Sequence, residues 1–159
     1  ITGGPPVRGT KLMAWEIPAH YRNIGELPAE TRGILQGMAK DVREGLLETV
    51  GVESEFSFAD GRCSMILKLA PETDAKMIAS AIALENADAW CDEKERVNLG
   101  ISPDFSVKDV DQTVLCAIKV VHVLLGLHAV CEVKPKSFTQ KILASIIEVM
   151  KDQKQVSRK

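Results

Sequence analysis

The chain has 159 residues, the size of one ordinary domain with its own hydrophobic core. Its composition, 45% hydrophobic and 26% charged, is typical of a globular protein, and its formal charge of −2 is mildly acidic. Surfaces that bind nucleic acid usually show a basic patch and aromatic side chains, whereas this chain has only seven aromatic residues. The composition therefore favours a globular domain that does not bind nucleic acid.

The first twelve residues resemble cloning-vector sequence rather than part of a fold. Gly9–Leu12 is what two adjacent restriction sites would encode, and Met13 follows at once. The predicted organisation is a vector-derived tag (1–12), a lead-in segment (13–26), a single domain (27–150) and a flexible polar tail (151–159).

The first half of the domain predicts a helix followed by a β-hairpin. Apolar residues recur at helical spacing from about Pro28 to Val50, and Gly51 stands where a C-terminal cap belongs. Apolar and polar residues alternate on either side of Asp60-Gly61. Because this dipeptide favours a tight turn, we expect two antiparallel strands there.

The second half predicts helices and strands in alternation. The expected elements are a helix from Pro71 to a point between 85 and 92, a strand over 97–101, a helix over 107–125, a strand over 127–133 and a helix over 137–150. Ser106 and Asp109 form a capping box for the helix over 107–125. We therefore predict an α+β single domain, with about four strands (the hairpin plus two more) covered by about four helices. The strands over 97–101 and 127–133 could pair in parallel through a right-handed crossover.

The cysteines and the most apolar stretch indicate where the protein resides. The four cysteines are Cys63, Cys91, Cys116 and Cys131. Their spacings of 28, 25 and 15 residues lack the close pairs that zinc sites use, so we interpret them as reduced thiols of a cytoplasmic protein. The stretch 114–131 contains a lysine and two histidines, which are costly in lipid, so we predict no membrane span.

Four acidic residues form the most distinctive polar set: Glu85, Asp88, Asp92 and Glu95. On one continuous helix they would share a face, and clustered carboxylates suit a divalent cation. Met77 and Ile78 would share that face too, so a helix that stops near Asn86 and leaves the acids solvated is the simpler interpretation. No cofactor is predicted, and a divalent-metal-dependent enzyme that uses these four carboxylates is one alternative function.

His122, His128 and Glu132 form the second candidate site. His122 lies at the edge of the apolar stripe of the helix over 107–125, and His128 and Glu132 could share one face of the strand over 127–133. A histidine–carboxylate pair can perform acid–base chemistry, although it is also a common surface pair. This set predicts, as another alternative, a small-molecule-binding protein or enzyme with an apolar pocket between the sheet and the helix over 107–125.

The helices over 107–125 and 137–150 carry a surplus of apolar residues. Their stripes are wider than a small sheet easily covers, and uncovered apolar surface marks association, most often as a two-fold homodimer. A monomer with the helix over 107–125 at its centre is the other interpretation. The predicted interface residues are Val114, Ile118, Val121, Leu125, Ile142, Ile146 and Met150.

The chain contains no nucleophile elbow, P-loop or dinucleotide fingerprint. We therefore predict a non-catalytic accessory or regulatory domain, acting by self-association or by binding a protein partner.

Overall fold

The computed structural model describes residues 12–126, in which three α-helices pack on one face of a four-stranded antiparallel sheet. The elements are a 3₁₀ turn (Ile24–Glu26), α1 (Ala29–Val50), β1 (Glu53–Ala59), β2 (Arg62–Lys68), α2 (Ala75–Leu84), β3 (Ala89–Cys91), β4 (Val97–Gly100) and α3 (Val107–Leu125). The predicted α+β class is confirmed. The strand predicted over 127–133, the helix predicted over 137–150 and the tail lie outside the described residues, as do residues 1–11.

Local signals account for α1 and the hairpin. α1 ends at Gly51, whose φ of 69° is the left-handed conformation that a helix cap of this kind requires. Asp60 and Gly61 have φ values of 55° and 74°, as a two-residue hairpin turn of type I′ needs at both central positions. The helix and hairpin predicted for the first half of the domain are therefore confirmed.

The sheet has the strand order β1-β2-β4-β3, and every neighbouring pair is antiparallel. Because β4 lies between β2 and β3, both of its edges are occupied. The predicted parallel pairing of 97–101 with 127–133 is therefore wrong. One row of aligned residues crosses all four strands on the face away from the helices: Glu55, Ile66, Asn98 and Trp90.

The segment between β2 and β4 differs from the prediction at both ends of α2. The helix begins at Ala75 rather than Pro71, because the carboxylate of Asp74 accepts a backbone N–H of the first turn and caps it. It ends at Leu84, and Asn86 then adopts a φ of 71° that no α-helix can contain. The chain continues into the short strand β3, which the sequence pattern did not predict.

The core lies between the sheet and the helices. α1 packs on β1 and β2, α2 packs on β3 and β4, and α3 contacts both α1 and α2. α3 has the predicted capping box at Ser106 and Asp109 and ends at Gly126, whose φ is 56°. α1 and α3 approach closely at Gly45, where a Cβ atom would lie 2.9 Å from Cγ1 of Val114. α3 is thus the central helix of the layer, and its wide apolar stripe is explained by burial on two sides.

Burial corrects part of the predicted interface. Val114, Ile118 and Val121 are only 4%, 0% and 0% exposed, because they pack in the core of a single chain. They are therefore not available to a second protein. Leu125 is half-buried, and Ile142, Ile146 and Met150 lie outside the described residues. The apolar residues of α3 that remain exposed are Val107, Val123 and Leu124.

The segment before α1 runs along one end of the sheet. The N–H of Leu12 donates to the carbonyl of Asn86 at 3.3 Å, and Glu16 forms an antiparallel bridge with Arg62. The side chain of Leu12 is buried in the core. Leu12, which was assigned to the tag, is therefore part of the packed structure.

Candidate functional site

A groove of about 990 Å³ is lined by α2, by the segment between β2 and α2, and by the β3–β4 hairpin, and it extends to Glu55, Ile66 and Trp90 on the face of the sheet away from the helices. Its lining includes the apolar Ile66, Ala79, Ala83, Trp90 and Val97, the basic Lys68, Lys76, Lys94 and Arg96, and the acidic Glu55, Asp74, Asp92 and Glu95. Several of these charges are already engaged. Lys68 lies 3.9 Å from Glu55, Arg96 lies 3.0 Å from Asp92, and Asp74 caps α2. The groove therefore offers a mixed lining without a dominant charge.

A hydrogen-bond network connects this groove with the sheet face away from the helices. Ser64 Oγ donates to Asn98 Oδ1 at 2.8 Å, and Asn98 Nδ2 donates to Asp92 Oδ2 at 3.0 Å. The other carboxylate oxygen of Asp92 accepts the backbone N–H groups of Lys94 and Arg96, at 2.9 and 3.0 Å. Ser64 and Asn98 are 2% and 4% exposed. The network therefore pairs polar groups that would be costly to bury alone.

The same network sets the protonation of Asp92. Partial burial would raise its pKa, but hydrogen bonds from Asn98 and Arg96 outweigh burial and hold the pKa of Asp92 below its ordinary value of 3.8. A carboxylate whose pKa is lowered is a poorer general base than one with an ordinary pKa. Asp92 is thus suited to closing the β3–β4 turn as a fixed anion.

Trp90 and Arg62 contribute an aromatic and a cationic group beside this network. The guanidinium carbon of Arg62 lies 4.4 Å from the centre of the Trp90 ring, a cation–π contact that spans three strands. No sequence pattern predicted a site that includes either residue or Asn98. The only local signal was the alternation within Ala89–Cys91, which is too short to tell a strand from a helix end.

The structure distributes the four acids of the predicted metal site over separate roles. Glu85 forms an ion pair with Lys119 of α3, Asp88 accepts the backbone N–H of Ala14, Asp92 closes the β3–β4 turn and Glu95 lies within that turn. Because α2 stops at Leu84, the interpretation that the helix ends near Asn86 is confirmed. Within residues 12–126, no three or more His, Cys, Asp and Glu side chains are grouped so that they could hold a metal ion. Metal-dependent catalysis stays a prediction.

Three of the four thiols lie within the described residues, and all three have raised pKa values. Burial raises the pKa of Cys63 to about 12. Burial, and next the carboxylate of Glu85, raises the pKa of Cys116 to about 11. Burial and then Asp92 raise the pKa of Cys91. A thiol that stays protonated is a weak nucleophile, so these three are unsuited to covalent catalysis at neutral pH.

The histidine site is only partly described. His122 is half-buried in the last turn of α3 and does not line the groove, while His128 and Glu132 lie outside the described residues. The space between the sheet and α3, where an apolar pocket was predicted, is filled by core side chains that include Ile118 and Val121. An acid–base pair formed by His128 and Glu132 stays a prediction.

α1 packs on α3, and helical spacing places Ile34 beside Asp41 on α1 and Val107, Asp111 and Leu115 on one side of α3; these five residues define the α1–α3 face. Ile34 and Val107 are 40% and 78% exposed, and Leu115 is half-buried. Burial, and next the negative charge of Asp41, raises the pKa of Asp111, so the two carboxylates repel each other across the helix pair. Exposed apolar side chains around a like-charged acidic pair are the complement of a basic amphipathic partner.

Charge is unevenly distributed along the chain. Residues 12–126 contain 11 basic and 19 acidic side chains, a formal charge of −8, whereas residues 127–159 contain seven basic and three acidic side chains, a formal charge of +4. The part of the chain after α3 is therefore opposite in charge to the domain that precedes it.

No helix within residues 12–126 combines the length and apolar character needed to cross a membrane. Comparison with known proteins adds no further constraint, because no family model, no curated protein and no solved structure matches this chain.

Proposed function

We propose that this protein is a non-catalytic accessory or regulatory domain that acts by protein association, as a two-fold homodimer. In this arrangement the α1–α3 face of each copy binds segment 137–150 of the other copy. The observation that supports the proposal is the like-charged pair Asp41 and Asp111 among the exposed apolar side chains of that face.

The composition of segment 137–150 is complementary to the α1–α3 face. Ile142, Ile146 and Met150 recur at intervals of four residues, so they share one side of the helix predicted there. Lys141 and the lysines of the tail contribute to the positive charge of the region after α3. A lysine placed beside Asp41 and Asp111 would offset their mutual repulsion.

The dimensions of the two surfaces also agree. α3 has 19 residues and is about 28 Å long, while a helix over 137–150 would be about 21 Å long. Such a helix can lie along the α1–α3 face without extending past its ends. Two reciprocal contacts of this kind would reach the roughly 1,200–2,000 Å² of buried surface that stable dimers use.

Native mass spectrometry of the full chain, combined with light scattering, tests the proposal. We expect a dimer for the parent chain and a monomer for Ile146→Asp, because a buried carboxylate would disrupt the apolar contact. Ser145→Asp adds the same charge at a neighbouring polar position and should leave the dimer intact. Asp111→Lys should weaken the dimer, whereas Asp104→Lys, at an exposed loop position, should not.

Two results would overturn the homodimer. One is a parent chain that remains monomeric at about 100 μM, well above the Kd of a typical specific dimer. The other is a dimer whose mass is unchanged by both Ile146→Asp and Asp111→Lys, since association would then use a different surface.

The groove beside α2 supports a second candidate function, the binding of a small molecule. Its volume of about 990 Å³ falls within the range of known ligand sites, and Trp90 provides an aromatic surface. The same mass spectrum tests this candidate, because a retained ligand appears as added mass. A metabolite screen that produces no change in Tm would argue against it. Calorimetry with Mg²⁺, Mn²⁺ and Ca²⁺ tests the metal-dependent alternative separately.

A further inference from the structure

We infer that the outer edge of β1 is the docking edge for residues 127–133 of the same chain, which add to it as a parallel fifth strand. The sheet order would then be a new edge strand followed by β1-β2-β4-β3. This inference concerns the sheet rather than the α1–α3 face, so it does not depend on the proposed homodimer.

The first step is the direction of the strands. β1 with β2, β2 with β4 and β4 with β3 are all antiparallel pairs, so β1 and β4 run one way and β2 and β3 run the other way. α2 connects β2 with β3 and packs on β3 and β4. α3 follows β4 and lies in the same helical layer.

The second step is handedness. A strand–helix–strand connection between parallel strands of one sheet is right-handed. Consider two such connections that lie on the same face of a sheet and start from antiparallel strands. Because both are right-handed, they lead toward opposite edges of the sheet. The connection from β2 to β3 leads away from β1, so the connection from β4 through α3 must lead toward β1. β2 has neighbours on both sides, and the first vacant position is therefore outside β1.

The third step is where α3 ends. Asp41 and Gly45 of α1 face Asp111 and Val114 of α3, so the two helices run in the same direction. Both helices run toward the end of the sheet at which β1 begins, and α3 continues past the end of α1, because eleven residues follow Val114 in α3 and five follow Gly45 in α1. A strand that follows α3 can therefore run parallel to β1.

The edge and the segment also complement each other in length and polarity. β1 has seven residues, and within residues 12–126 its outer edge has no partner strand, which is an aggregation hazard for a strand of this length. Phe56 and Phe58, on its helix-facing side, are only half-buried. In residues 127–133 the apolar side is Leu127, Ala129, Cys131 and Val133. That side would cover the two phenylalanines and leave His128 and Glu132 on the opposite face of the sheet.

Amide hydrogen exchange of the full chain, followed by NMR, tests this edge directly. In a hairpin with a two-residue turn the amides of Glu55 and Ser57 bond to β2, whereas those of Ser54, Phe56 and Phe58 point to the outer edge. We expect the three outward amides to exchange at least about 100-fold more slowly than unprotected amides.

A substitution within residues 127–133 tests whether this segment protects the outward amides of β1. Val130→Pro removes a donor and disfavours a paired strand, so it should accelerate the three outward amides about tenfold or more while Glu55 and Ser57 stay protected. Gln155→Pro, a proline in the polar tail, is the matched control and should change none of them. If Val130→Pro also deprotects Ser57, nuclear Overhauser contacts in the parent decide instead: contacts of 127–133 with Phe56 in parallel register support the inference, and their absence overturns it.

Three other results would overturn the inference. The outward amides of β1 could exchange at the unprotected rate in the parent chain. Val130→Pro could instead deprotect Ala89 and Cys91, which would place the segment at the β3 edge. Protection that increases with protein concentration in the Ile146→Asp variant, for which we expect a monomer, would identify a second copy, rather than residues 127–133 of the same chain, as the occupant of the edge.

Discussion

Replacement of Asn98 by alanine should be among the most destabilising changes on the sheet face away from the helices. The amide of Asn98 donates to the charged Asp92 and accepts from Ser64. A hydrogen bond to a charged group contributes about 1.5–3 kcal/mol and a neutral one about 1 kcal/mol. The hydroxyl of Ser64, which is 2% exposed, would also lose its partner. The cost of leaving this hydroxyl unpaired overlaps with the free energy already counted for the neutral hydrogen bond. We expect the free energy of unfolding to fall by about 3 kcal/mol.

Equilibrium unfolding in urea, monitored by circular dichroism, measures this loss at constant m-value. The double variant Ser64→Ala with Asn98→Ala removes the orphaned hydroxyl and should recover about 1 kcal/mol relative to Asn98→Ala alone. A loss below about 0.5 kcal/mol for Asn98→Ala, or a double variant less stable than the single one, would refute the reasoning.

The same variant has a defined pH dependence. The pKa of Asp92 is lower in the folded state than its ordinary value of 3.8, so its contribution to stability is present above that pH and is lost as pH falls through the folded-state pKa. Asn98→Ala removes one cause of the lowered pKa. The stability difference between the parent and the variant should therefore narrow as the pH is lowered below 3.8, and a difference that widens there would contradict the assignment.

Two further substitutions test contacts between elements. Lys119→Met leaves the half-buried carboxylate of Glu85 without its cation, and we expect a loss of about 2 kcal/mol in urea unfolding that Glu85→Gln partly restores. If the second substitution restores nothing, the ion pair is not the cause. Gly100→Ala places a Cβ atom 2.7 Å from Cβ of Ala14 and 2.8 Å from the carboxylate of Asp88. It should displace the segment that precedes α1 and, in a Trp90→Phe background where Trp15 is the remaining tryptophan, increase the quenching of fluorescence by acrylamide. Unchanged quenching would show that the segment can adjust.

The elements that sequence analysis predicted well are those with chemical signals at their ends. Gly51 and Gly126 permit the left-handed caps, and Ser106 with Asp109 reciprocally satisfies the first amides of α3. Each of these signals acts over a few neighbouring residues, so it can be recognised without knowledge of the tertiary structure.

The elements and contacts that were missed depend on distant parts of the chain. β3 has three residues, and its pairing with β4 determines its conformation more than its own composition does. The Ser64–Asn98 hydrogen bond requires the register of β2 against β4, since the two residues are 34 positions apart. The four acids of the predicted metal site show the same dependence on the rest of the structure. They would share a face only on a continuous helix, and α2 ends at Leu84.

The close approach of α1 and α3 at Gly45 has a consequence for sequence variation. A methyl group at position 45 would meet the side chain of Val114 at 2.9 Å, so the volumes of these two residues are coupled. We expect an alanine at position 45 to be tolerated mainly when position 114 carries a smaller side chain. In any collection of natural or selected variants of this chain, the two positions should therefore covary, and that covariation would mark the α1–α3 crossing independently of any structure.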